Sequence, residues 1–203
     1  MIKSLSDSSL TMKETKILSQ SECLLISMLE FYSVPKRINT LVSVVKQKAT
    51  ISLRILDWFP TNYAKYNKVF INDKNVYLKY KDQLKAYSKK NFDPFCRRER
   101  IFLKFDVDSL SKVEKVNFEY FFLDKNEQNH YENREDGIIT TVAQMNFFKW
   151  CIENNIIEYV FDNILDVGRD MVENISKRNK YKDKTRSTNG GITKTTMKIV
   201  VSF

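Results

Sequence analysis

Residues 100–123 read RIFLKFDVDSLSKVEKVNFEYFFL, and the reading of this stretch decides the fold. RIFLKF (100–105) and NFEYFFL (117–123) have the alternating or continuous apolar character, dense in aromatic residues, that suits a pleated, half-buried surface. Helical patterns flank them on both sides in the chain. The prediction is therefore α+β: a single domain with helices from both ends packed around a small central antiparallel sheet.

N-terminal to these strands, Ser19-Gln20-Ser21-Glu22 is a capping box, with Leu24, Leu25, Met28, Leu29 and Tyr32 following at helical spacing. Ser33-Val34-Pro35 starts a second helix, proline in its first turn, with Ile38, Leu41, Val42 and Val45 as its apolar stripe. Residues 51–59 fit a short helix ending near Pro60, although ISLRIL also fits a strand. Residues 69–78 are open between a hairpin across Asn72-Asp73-Lys74-Asn75 and the start of a helix. Residues 79–90 read as helix, broken by Asp93-Pro94.

C-terminal to the strands, residues 124–136 form a polar loop. Thr140 and Thr141 are placed to cap a helix through VAQMNFFKWCIENN, which Asn154-Asn155 interrupts. One longer helix then carries Ile157, Val160, Phe161, Ile164, Leu165, Met171, Val172 and Ile175 on a single stripe, with Asp162, Asp166, Asp170 and Glu173 on another side. Residues 1–17 read as a disordered N-terminal segment, 18–176 as the domain, and 177–203 as a basic tail with a terminal strand in TMKIVVSF.

The chain has 203 residues, 42% hydrophobic and 13% aromatic, enough to bury a core and to exclude a wholly disordered protein. Four glycines and one histidine exclude most glycine-rich phosphate loops and every multi-histidine metal site. MIKSLSDSSLTMKETK has no signal-peptide core and no apolar run is long enough to span a bilayer, so the expectation is a protein that is not secreted and has no membrane partner. Ile2 stands where myristoylation needs glycine. Cys23, Cys96 and Cys151 read as reduced thiols, each a small buried hydrophobe.

The net charge is +9, but it is segregated: +3 over residues 1–53, +8 over 54–104, −9 over 105–176 and +7 over 177–203. Within 63–100, cations alternate with Tyr and Phe, a pattern that suits phosphates and unpaired bases. The candidate nucleic-acid-binding residues here are Lys81, Lys85, Tyr87, Lys89, Lys90, Arg97, Arg98 and Arg100, the last three forming a phosphate clamp after the Asp93-Pro94 turn. In the tail they are Lys177, Arg178, Lys180, Lys182, Lys184 and Arg186, a basic arm acting through counterion release. The same residues also suit a bland alternative, with aromatics in the core and lysines as their solvated rim. The expected partner is DNA or RNA; the acidic helix face 158–173 suits a basic protein partner, self-association, or shielding of the tail.

Enzymatic readings are weak. Asp106 and Asp108 follow an apolar strand and can hold Mg²⁺, which would suit phosphoryl transfer, but the later lysine and strand-end acidic pair of aspartate-based phosphotransferases are missing. Asp108 or Ser109 instead serves as the N-cap of a short helix from Leu110. A CX5R phosphatase loop is excluded because Phe102 stands six places after Cys96. His130 lies in a polar loop, a poor setting for a general base. No cofactor is implied, and Trp58 and Trp150 read as core.

The runs Leu56-Asp57-Trp58-Phe59, Phe92-Asp93-Pro94-Phe95-Cys96-Arg97-Arg98-Glu99-Arg100-Ile101 and Thr140 to Trp150 (TTVAQMNFFKW) resemble segments of a protein of unassigned activity shared among nucleocytoplasmic large DNA viruses. The resemblance spans about residues 40–165 and carries over no site. It implies a viral protein made in the infected cell, in the host cytoplasm or nucleus or in the virion. The resulting expectation is a non-enzymatic accessory protein that binds nucleic acid, with a structural or assembly role as the alternative.

Overall fold

The structure, a computed structural model, describes residues 19–106, 115–124 and 126–188, the last eleven of these by their backbone. Its elements run α1 (Gln20–Tyr32), α2 (Pro35–Val45), α3 (Leu53–Trp58), a π-helical turn (Phe59–Tyr63), α4 (Ala64–Tyr66), β1 (Phe70–Ile71), β2 (Lys74–Asn75), α5 (Val76–Asn91), β3 (Ile101–Phe105), β4 (Phe118–Phe122), α6 (Gln128–Tyr131), β5 (Gly137–Thr140), α7 (Val142–Glu153), α8 (Ile156–Asp162) and α9 (Ile164–Thr188). This is the expected single-domain α+β fold. The first 17 residues, the terminal strand in TMKIVVSF and the cap at Asp108 or Ser109 lie outside the described residues.

The caps form as their local chemistry dictates. Ser19 Oγ accepts from the Glu22 amide while the Glu22 carboxylate accepts from the Ser19 amide. Thr141, rather than Thr140, caps α7 by accepting from the Gln144 amide. α7 buries Ala143, Met145, Phe147, Phe148, Trp150 and Cys151, apolar around most of its circumference because α1, α2, α5 and α8 all pack on it. Tyr32 donates its hydroxyl to the Met145 carbonyl at 2.8 Å, which fixes α1 against α7. Trp58 is buried and its indole N–H donates to Asp170 Oδ2 at 2.7 Å.

β3 is the middle strand of an antiparallel sheet ordered β4-β3-β5, with Phe102 facing Phe121 on one side and Ile139 on the other. β5 falls in a region the sequence assigns to a loop running into a helix cap. It is only four residues long, and its pairing depends on a close approach at Gly137. A Cβ there would meet the Phe102 ring at 2.3 Å and the Leu103 carbonyl at 2.6 Å. The polar loop before it also contains the single turn α6.

Further expectations are corrected, and one open reading is resolved. The helix at 53–58 does not stop at Pro60: it widens into a π-turn, over which the Thr61 hydroxyl donates to the Asp57 carbonyl at 2.6 Å. Residues 69–78 contain both alternatives, because Asn72 (φ 49°) and Asp73 (φ 60°) make a two-residue hairpin turn and the helix starts directly after β2. The helical path of α5 then breaks at Ser88. The long stripe expected over 157–175 is split by a break at Asn163, so Ile156, Val160 and Val167 are buried while Phe161, Leu165, Val172 and Ile175 are exposed. Of the three thiols only Cys151 is buried; Cys23 is exposed on α1 and Cys96 half-buried.

Candidate nucleic-acid interface

Two of the three sequence runs that carry the viral resemblance, 92–101 and 140–150, come together at α7. Phe92 packs against Phe147 and edge-on against Trp150, with ring centroids at 5.5 and 5.8 Å. Asn146, buried in α7, donates its side-chain amide to the Asn91 carbonyl at 2.9 Å, and Gln144 donates to the Pro94 carbonyl at 3.1 Å. Thr140 in turn donates its hydroxyl to Gln144 Oε1 at 2.9 Å, which orients that amide. Asp93 Oδ1 accepts from the Phe95 amide at 2.8 Å and shapes the turn into residues 94–100. The loop bearing the arginines is thus held at its base by three polar side chains.

This loop separates depressions on its two sides. Arg97 and Arg100 line one of about 410 Å³, together with Lys46, Glu132, Thr140, Thr141 and Gln144. A second, of about 650 Å³, adjoins it through Val45, Gln47, Leu53, Phe95 and Gln144 and adds Arg54. Together they form a groove between the end of α2, the start of α3, strand β5 and the 94–100 loop. Across the loop, Lys90 and Arg98 line a smaller cavity of about 200 Å³, where Lys90 reaches Glu99 at 3.8 Å.

Electrostatically the groove is cationic. Among the described residues, Arg54, Arg97, Arg98 and Arg100 form no ion pair. Arg100 Nη1 donates to Gln128 Oε1 at 2.6 Å, which orients its guanidinium without neutralising it. Lys46 donates to the Arg134 carbonyl at 3.1 Å; burial, and then the neighbouring Lys48, lowers its pKa. Phe95 is 47% exposed at the junction of the two depressions. Among the described residues, four cations and one exposed ring therefore share a groove lined by a single carboxylate, Glu132.

The other candidate residues are dispersed. Lys81, Lys85 and Lys89 are exposed along α5, while Tyr87 is half-buried against the core. Tyr80 and Phe92, from the same aromatic-rich segment, are core residues. Lys177 is exposed and lies 3.9 Å from Glu173. Arg178, Lys180, Lys182, Lys184 and Arg186 occupy the backbone of α9, so the basic tail up to Thr188 continues a helix. Asp106 lines a depression with Lys104, Glu119 and Asp136, and Asp108 lies outside the described residues. Among the described residues no group of three or more His, Cys, Asp or Glu side chains is placed to hold a metal ion, and His130 is exposed. Lys46, Arg54 and Phe95 escape sequence reasoning because the groove exists only once α2, α3 and β5 have come together around the loop.

Asp57, in α3, lies near Asp93 and Lys89. Burial, with the Asp93 carboxylate nearby, raises its pKa from 3.8 to about 6, against an opposing pull from Lys89.

Fold and groove together define a small α+β domain with a cation-lined surface channel. The chain belongs to the family of unknown function DUF7197, whose pattern matches residues 2–122 and 104–198. It is similar to "Uncharacterized protein L507" of Acanthamoeba polyphaga mimivirus, 31% identical over 195 residues that make up 92% of this chain and 64% of the relative. The chain thus spans 64% of that relative's length. No solved structure matches. These matches make this a viral protein, as the resemblance implied. Among the described residues, no helix is long and apolar enough to cross a membrane.

Proposed function

We propose that this protein is a non-enzymatic, nucleic-acid-associated accessory protein of a large DNA virus, of a type shared among nucleocytoplasmic large DNA viruses. It works in the host cytoplasm or nucleus where viral nucleic acid is handled. The observation that carries the reading is the juxtaposition of the unpaired Arg97 and Arg100 with exposed Phe95 in one groove. Guanidinium groups take phosphates, and a solvent-facing ring beside them stacks on an unpaired base, so the favoured ligand is single-stranded. The basic residues of α9 add sequence-independent affinity.

The test is fluorescence anisotropy with a labelled single-stranded oligonucleotide over a salt titration. Removing one arginine–phosphate pair should reduce the slope of log K against log salt by about 0.7, so Arg97→Ala with Arg100→Ala should reduce it by about 1.4. Absence of binding at low salt, or an unchanged slope in the double variant, would overturn the assignment. A second reading, an assembly role through protein surfaces, is favoured by exposed Tyr120, Phe121 and Phe122 on the outer strand β4.

A further inference from the structure

α9 is 25 residues long, about 37 Å of helix, and its described packing on the domain lies in its first half. Val167 is buried there, and Asp170 accepts from the Trp58 indole. Beside that anchoring face runs a second apolar seam that touches little of the domain. Leu165 is 79% exposed and Val172 60% exposed, and Ile175 continues the line. With Gly168 these residues are spaced three, four and three apart, the repeat of a helix that packs against another helix. A Cβ built on Gly168 meets nothing within 4 Å, so the seam is open along this length.

The charge along the same arm is polarised. Its first half bears exposed Asp166 and Glu173, with Arg169 3.5 Å from Asp166. Its second half, residues 177–186, holds six Lys or Arg and one acid, Asp183. A parallel neighbour of the same kind would set like charges side by side. An antiparallel one sets each acidic half against a basic half. A two-fold axis passing between Val172 and Ile175 achieves this and places Val172 of one copy against Ile175 of the other, with both Gly168 positions inside the interface. The helix face is therefore complementary to itself in one orientation, as an isologous interface requires.

We propose that α9 is a dimerisation arm, pairing antiparallel with α9 of a second copy of this chain. The pairing covers the exposed seam and sets the acidic first half of each arm against the basic second half of the other.

Sedimentation of the full-length, nuclease-treated chain over a broad concentration range tests this. The expected result is a monomer–dimer equilibrium that weakens with salt. Val172→Glu alters an exposed position, so it leaves the fold intact and should weaken the dimer about tenfold or more. Asp166→Lys should weaken it too, and adding Lys180→Glu with Lys182→Glu should restore it. Orientation is read by oxidising a mixture of Leu165→Cys and Lys182→Cys chains, each also carrying Cys23→Ser and Cys96→Ser. The antiparallel arm yields the mixed disulfide. A monomer at every concentration, a dimer indifferent to Val172→Glu, or preferential Leu165→Cys homodisulfides would overturn the proposal.

Discussion

The Gln144 side-chain amide donates to the Pro94 carbonyl at 3.1 Å, joining the first turn of α7 to the loop that carries Arg97 and Arg100. Its other end accepts from Thr140, so one amide bridges β5, α7 and the loop. Gln144→Ala should cost about 1–2 kcal/mol in urea unfolding, the usual range for removing one side of a partly buried hydrogen bond. It should also weaken oligonucleotide binding while leaving the salt slope unchanged, since no cation is removed. A reduced slope would show that the amide does more than hold the loop.

Phe95 separates stacking from charge. If an unpaired base lies on its ring, Phe95→Leu should cost about 1–3 kcal/mol of single-strand binding and little duplex binding. Competition between single-stranded and duplex DNA at one salt concentration measures this. An equal loss for both would assign Phe95 to the shape of the groove alone.

Asp57 gives the fold a pH dependence of defined sign. Its folded pKa of about 6 lies above the ordinary 3.8, so the folded state holds the proton more tightly than the unfolded chain. Asp57 therefore opposes folding above about pH 6, and the penalty fades as the pH falls towards 4. Asp57→Asn should stabilise the protein by about 1–2 kcal/mol at neutral pH, after allowance for the partial solvent access of the carboxyl. Urea midpoints at pH 7.5 and pH 4 should show the gain at the first and its near-absence at the second.

Gly137→Ala tests the close approach of β5 to β3. The new methyl would fall against the Phe102 ring and the Leu103 backbone, and Phe102 is fully buried, with Arg134 and Tyr131 over its ring. Neither neighbour can withdraw cheaply, so a loss of about 1–3 kcal/mol or more is expected in thermal unfolding. A neutral result would mean that the strand shifts without penalty.

What was legible in the sequence was what local chemistry decides. Ser19 and Glu22 form their capping box from four consecutive residues, and β3 and β4 follow from runs of aromatic and branched side chains. β5 was not legible, because Gly137 is required by the Phe102 ring of another strand and Gly-Ile-Ile-Thr is too short to show a period. Pro60 misled because proline is tolerated in the first turn of a helix, and here it sits near the start of a π-turn that carries the helical path on to Tyr66. In α8 and α9 the apolar spacing was real, but Asn163 turns the path, so half the stripe faces outward. The candidate interface divides in the same way. The arginine cluster stood out in the chain, whereas the contributions of Lys46, Arg54 and Phe95 depend on distant segments meeting.

Two of the hydrogen bonds that hold this fold join residues more than a hundred positions apart: Tyr32 with Met145, and Trp58 with Asp170. On the ribosome that separation becomes a delay. At ordinary elongation rates the first helices emerge on the order of ten seconds before α7, the helix they are built to clasp. Throughout that interval α1 and α2 have each other but not α7 to pack against, so the apolar side chains that face α7 stay uncovered. Closure is a late and collective event: the arginine loop takes its shape only when Gln144 and Asn146 arrive, and a half-made chain carries the cations without the groove.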